Sequence, residues 1–175
     1  AQQLAESEDF GGTVARTKFM ESQAAQLVGE AATPLEKVVK LYEGVKKMVK
    51  WNKKYARFAS TADVKKGVEE GSGNSAQVNF ALTCLLKAAG LEANPVLVST
   101  RSHGYINQFL PSFDQFNHVV SAVKVDEGYL ILDAIDPLVP ANFMPKSCLN
   151  NKGFMLVGNK FAWVSLKPRD KYKIA

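Results

Sequence analysis

The stretch from Ala76 to Ala89 constrains this chain more than any other part of it. Only Lys87 carries a charge there, while Val78, Ala81, Leu82, Leu85 and Leu86 are apolar. No face is strongly polar, so a helix built from these residues is buried on most sides. Asn74 is an N-cap with Gln77 three residues on, and Gly90 is a natural C-cap. Beyond Gly90 the apolar period changes to two. Residues 94–100, 116–125, 129–134, 153–157 and 161–166 read as strands, and Asp126-Glu127-Gly128 as a hairpin turn. Helices followed by an antiparallel sheet make an α+β domain. The predicted core is Val78, Leu82, Leu85, Leu86, Val96, Val98, Val120, Ile131 and Leu132.

A second helix is equally plain. Thr33-Pro34-Leu35-Glu36 supplies a cap, a proline at the first helical position and a glutamate at the third. Leu35, Val38, Val39, Tyr42, Val45, Met48 and Val49 then form one apolar stripe, with lysines on the opposite face. Residues 13–30 predict a further helix. Residues 1–12 are polar, end in a glycine pair and read as a loose tail. The expected organisation is a tail and possible helix over 1–30, a domain over 31–167 and a C-terminal tail over 168–175.

Several function classes are excluded. No run of eighteen apolar residues exists, so direct membrane insertion through a transmembrane helix is not expected. Two cysteines, Cys84 and Cys148, make neither a disulfide scaffold nor a four-cysteine zinc site. With only His103 and His118 besides, no metal and no cofactor are expected. The chain opens at Ala1 without a basic-then-apolar leader, which reads as a mature or excised fragment.

Gly71-Ser72-Gly73-Asn74-Ser75-Ala76 matches a loose dinucleotide fingerprint, but the preceding residues do not read as the strand that fingerprint requires. The same residues serve as a helix cap, with Ser75 in the first turn, where backbone N–H groups and the dipole gather. His118 and Asp133 lie on successive strands. A two-residue turn at Asp126-Glu127 sets residue 118 opposite 135, and places 133 diagonally on the same face, roughly 7–8 Å away. A three-residue turn sets them on opposite faces. Lys46, Lys47, Lys50, Lys53, Lys54 and Arg57 interleave with Trp51 and Tyr55. Net charge is +5, and these lysines oppose an apolar stripe, so a solvated helix face is expected rather than nucleic-acid binding. Trp51, Tyr55 and Asn117 are candidate binding residues.

The order of these pieces resembles the transglutaminase-like superfamily, relatives of the papain-like cysteine peptidases. The buried helix opens GNSAQVNFALTCLLKAAG, a strand begins Phe116-Asn117-His118-Val119-Val120, and the next ends Leu130-Ile131-Leu132-Asp133-Ala134. The resemblance covers residues 34–166. It implies a fold of N-terminal helices with a buried central helix packed on an antiparallel sheet. It also implies that His118 stands at the family's base, Asp133 at its orienting acid and Ser75 at its nucleophilic cysteine. Cys84, some 2.5 turns further along the helix, faces away from position 75, and Cys148 matches no family role. The segment is similar to a bacterial subgroup in which the motif reads Gly-Asn-Ser and the domain sits inside a larger exported protein.

The resemblance therefore implies a pseudoenzyme of periplasmic or extracellular location that binds peptide or polysaccharide, or packs against neighbouring domains. The alternative is a hydrolase or acyltransferase with a Ser75-His118-Asp133 triad. A third possibility is an anion-binding module built on the basic run.

Overall fold

The protein is seen here as a computed structural model that describes residues 2–110, 112–141, 143, 148 and 152–166. The expected tail over 168–175 lies outside the described residues. Helices α1 (Gln2–Glu6), α2 (Gly11–Ala15), α3 (Glu21–Val28), α4 (Pro34–Met48), α5 (Thr61–Glu70) and α6 (Ser75–Ala88) precede the main sheet. That sheet has five strands: β3 (Ala93–Val98), β4 (His118–Val125), β5 (Gly128–Leu132), β6 (Lys152–Val157) and β7 (Lys160–Ser165). Their order is β5-β4-β3-β6-β7, antiparallel throughout. A two-residue parallel ladder joins β1 (Lys50–Trp51) to β2 (Ser72–Gly73).

Local chemistry accounts for the helix boundaries. Thr33 with Glu36, Ser60 with Asp63 and Asn74 with Gln77 each form a reciprocal capping box. Gly90, just past the C-cap of α6, turns the chain at a φ of 83°, which a residue without Cβ adopts freely. Helix α5 was not anticipated from the polar, glycine-punctuated stretch over residues 59–73, where the apolar stripe is too thin to read. The helix expected over 13–30 is broken into α2, a 3-10 turn at Lys18–Met20, and α3.

Helix α6 is the hub. Every residue from Val78 to Leu86 is buried, and the helix packs against α2, α3, α4 and α5 on one side and β3 and β4 on the other. Val78, Leu82, Leu85, Leu86 and Leu132 belong to this main core. Val96, Val98 and Val120 are also buried, but on the far face of the sheet with Cys148, Met155 and Leu166. Ile131 departs from expectation. It is only half-buried, because it packs at the margin of that smaller cluster. Leu85→Ala, in the middle of the hub, is expected to cost about 2–5 kcal/mol in a urea melt. A loss under about 1 kcal/mol would mean that the site collapses around the smaller side chain.

The segment read as a loose tail is packed. Phe10 is wholly buried, edge-on to Phe80 at 5.5 Å and to Phe58 at 6.0 Å, and stacked on Phe161 at 6.1 Å.

Candidate functional site

The β4–β5 turn has two residues. Val125 pairs with Gly128 and Ser121 with Leu132, while Asp126 takes a φ of 55° that aspartate tolerates. This register sets His118 and Asp133 on one face, and their side chains meet: His118 Nε2 lies 2.7 Å from Asp133 Oδ2, both residues wholly buried. The carboxylate can only accept, so Nε2 carries the proton. His118 Nδ1 is buried without a hydrogen-bond partner among the described residues.

Helix α6 carries polar side chains on successive turns, and two of them, Asn79 and Thr83, reach the sheet and its β5 end. Asn79 Nδ2 donates to Asp133 Oδ1 at 2.8 Å and to the Val119 carbonyl at 2.9 Å, while its Oδ1 accepts from Ala134 N at 3.0 Å. One turn on, Thr83 bonds to Ser121 at 2.9 Å. One turn back stands Ser75. Tyr42, from α4, donates to the carbonyls of Asp133 and Val139 and so ties down the chain beyond β5.

Cys148 completes the cluster. Its thiol donates to Asp133 Oδ2 at 3.0 Å, the same oxygen that His118 uses. Burial pushes the Asp133 carboxyl up. The attraction of His118, with hydrogen bonds from His118, Asn79 and Cys148, outweighs burial and holds it below the usual carboxylate range. The ligand atoms of His118, Asp133 and Cys148 lie within 4.8 Å of one another, a donor set that zinc accepts. They are joined through one shared carboxylate oxygen, so the arrangement is that of a hydrogen-bonded cluster. Cys84, by contrast, points away toward the Thr13 carbonyl, and burial pushes its thiol up to about 12.

Ser75 makes no hydrogen bond to His118 among the described residues. Its Oγ accepts from Ala56 N at 2.8 Å and donates to Ala56 O at 3.0 Å. Its main-chain N–H donates to the Lys54 carbonyl at 3.0 Å, and the Trp51 indole N–H donates to the same oxygen at 2.9 Å. Between them, the Tyr55 ring lies edge-on to His118 at 5.2 Å and against Trp51 at 5.0 Å. Residues 54–56 therefore cover the start of α6. Of the candidate binding residues, Trp51 and Tyr55 stand over the site. Asn117 does not, because both ends of its amide are held by Thr100. Arg57, from the basic run, is taken up by the Phe113 and Phe116 carbonyls and by Asp114.

Asn79, Cys148 and the 54–56 cover escaped the sequence reading. Asn79 alone carried a signal, since it lies four residues after Ser75 and four before Thr83.

No curated protein matches the chain. Among solved structures, one from Parabacteroides distasonis described as a "putative protease" shares the fold, with a TM-score of 0.64 at 12% identity over 91% of this chain. This chain spans 30% of the length of that one. The profile of the transglutaminase-like superfamily matches residues 21–134, from α3 through the helix that carries Ser75 to the end of the His118–Asp133 hairpin. With the profile spanning well over half the chain, and the α+β architecture around α6 in agreement, the chain belongs to the transglutaminase-like superfamily.

Proposed function

We propose that this domain is a non-catalytic member of its superfamily, a pseudoenzyme of the subgroup with serine at the nucleophile position. It serves as a peptide- or polysaccharide-binding or packing module of a larger, exported bacterial protein. The observation that carries this is the state of position 75. A hydroxyl replaces the thiol, and a helix dipole does not ionise a hydroxyl. That hydroxyl is held at both its donor and its acceptor by Ala56. The two N–H groups that converge beside it, a pair of the kind that stabilises a tetrahedral oxyanion, are filled by the protein's own Lys54 carbonyl. The larger parent chain is supported by the likeness to a structure of which this chain spans 30%. Among the described residues, no helix is long and apolar enough to cross a membrane.

A Ser75-His118-Asp133 hydrolase is the second reading. It is favoured by the intact 2.7 Å His118–Asp133 pair and by His118 Nδ1, which has no hydrogen-bond partner among the described residues. Activity assays separate the two. The wild type is expected to show no hydrolysis of activated esters or amides above that of Ser75→Ala. In Ser75→Cys, the new thiol takes a wholly buried position against the backbone of Lys54 and Ala56. Its alkylation by iodoacetamide in the native state is expected to be at least about tenfold slower than that of a free thiol. Hydrolysis that disappears in Ser75→Ala would reinstate the triad, and fast alkylation that depends on His118 would show that the cover opens.

A further inference from the structure

We propose that the cleft beside Trp51 is a binding site for an acidic peptide, specifically an apolar side chain flanked by carboxylates. This deepens the binding role above and rests on it. The cleft has a volume of about 380 Å³ between the end of α4 and the chain just past Asp133. Val49, Trp51, Ala134, Ile135 and Pro137 make its walls, and Lys46, Lys50 and Lys53 are the polar residues that line it. It adjoins the His118–Asp133 site. Ala134 and Ile135 directly follow Asp133, and the Trp51, Tyr55 and His118 rings pack in sequence.

The three lysines are not equivalent. Lys46 is committed to the fold, with Nζ 3.0 Å from Glu43 Oε1, 3.1 Å from the Val139 carbonyl and 4.7 Å from the centre of the Tyr42 ring. Lys50 and Lys53 are exposed and form no ion pair among the described residues. Lys53 is held in place by the backbone. Its φ is 70°, a conformation that a lysine seldom adopts. The turn is pinned on both sides, by Asn52 Oδ1 accepting from Lys54 N at 3.0 Å and by the Trp51 indole donating to the Lys54 carbonyl. The strained turn sets the Lys53 ammonium 4.9 Å from the centre of the Trp51 ring. Among the described residues, no carboxylate lines the cleft to answer these two charges.

Such a cleft selects its ligand by chemistry. The Trp51 indole N–H is already engaged, and the side-chain donors the lining leaves are ammonium groups, which pair more strongly with a carboxylate than with a neutral sugar's hydroxyl. An apolar side chain loses nothing by entering. The two ammonium groups at the rim then pair with carboxylates on either side of it. A peptide of glutamates around one phenylalanine has this pattern.

The test uses a short fluorescein-labelled, amidated peptide of that composition in fluorescence anisotropy with the whole chain. It is expected to bind, to weaken as salt rises, and to weaken at least about tenfold against Lys50→Glu/Lys53→Glu. Both substitutions are on the surface and leave the core untouched. Replacing the peptide's glutamates with glutamines should abolish binding, and replacing its phenylalanine with serine should weaken it. The proposal is overturned if the peptide does not bind, if the double variant binds it equally well, or if an oligogalacturonate of the same charge binds more tightly. Mass spectrometry of the recovered peptide keeps the two claims separate. A peptide bound but cleaved or cross-linked sinks the non-catalytic reading and leaves the cleft assignment standing. An intact peptide that never bound does the reverse.

Discussion

Asp133→Ala is expected to destabilise the domain by about 3–5 kcal/mol, the range for removing one partner of a buried ionic pair. The carboxylate accepts from His118 Nε2 and Cys148 Sγ on one oxygen and from Asn79 Nδ2 on the other. Alanine strands all three donors in a place that water does not reach. Asp133→Asn separates charge from shape, since it keeps the volume and removes the ionisation. The folded-state pKa of Asp133 lies below its unfolded value, because the favourable partners outweigh burial. Its ionisation therefore stabilises the fold fully above the unfolded aspartate value of about 3.9, and that contribution is lost as pH falls through the lower folded value. In urea melts, the gap between wild type and Asp133→Asn should be constant near neutrality and shrink below about pH 4. A gap that stays the same down the acid limb would show that the carboxylate is not ionised in the folded protein. A loss under about 1 kcal/mol for the alanine variant would show the same of the cluster's importance.

The parts of this fold that sequence patterning reached are those where local chemistry and tertiary packing agree. The Thr33 and Asn74 capping boxes start helices where the motif places them, and period two after Gly90 marks five strands. The choice between two hairpin registers was open, because Asp126-Glu127-Gly128 fits a turn of either length. Backbone geometry closed it in favour of the register that joins His118 to Asp133.

What patterning did not reach is set by long-range pairing. Asn79 and Thr83 look like ordinary interruptions of an apolar helix. Their meaning comes from β4 and from the residue just past β5, which lie 38 or more residues away and supply the Val119 carbonyl, Ser121 and Asp133. Cys148 sits in a stretch with no periodicity at all, and its contact with Asp133 is visible only in three dimensions. The cover over Ser75 is made by the backbone of residues 54–56, and main-chain carbonyls carry no side-chain signature. The catalytic roles that the resemblance implies for Ser75, His118 and Asp133 are separate from this geometry and rest on the activity assays above.

The N-terminal segment misled because it is polar overall, while a single residue in it decides its fate. Phe10 is expected to be among the most costly residues to truncate, with Phe10→Ala losing about 3–5 kcal/mol. Its ring is wholly buried and in contact with rings from three separate parts of the chain: Phe58 before α5, Phe80 in α6 and Phe161 in β7. Edge-to-face pairs of this kind add about 0.5–1.5 kcal/mol beyond area burial. Around it the backbone is also tied down. The Ala59 N–H donates to the Asp9 carbonyl at 2.9 Å, and the Thr13 hydroxyl donates to the Ala59 carbonyl. Alanine at position 10 leaves a cavity at the junction of helix, sheet and N-terminal segment. Amide exchange over residues 10–28 should then rise more than exchange in β4, since the segment's anchor is gone while the sheet ladder is intact. A variant that melts like the wild type, with residues 10–28 still protected, would return this segment to the status of a detachable tail.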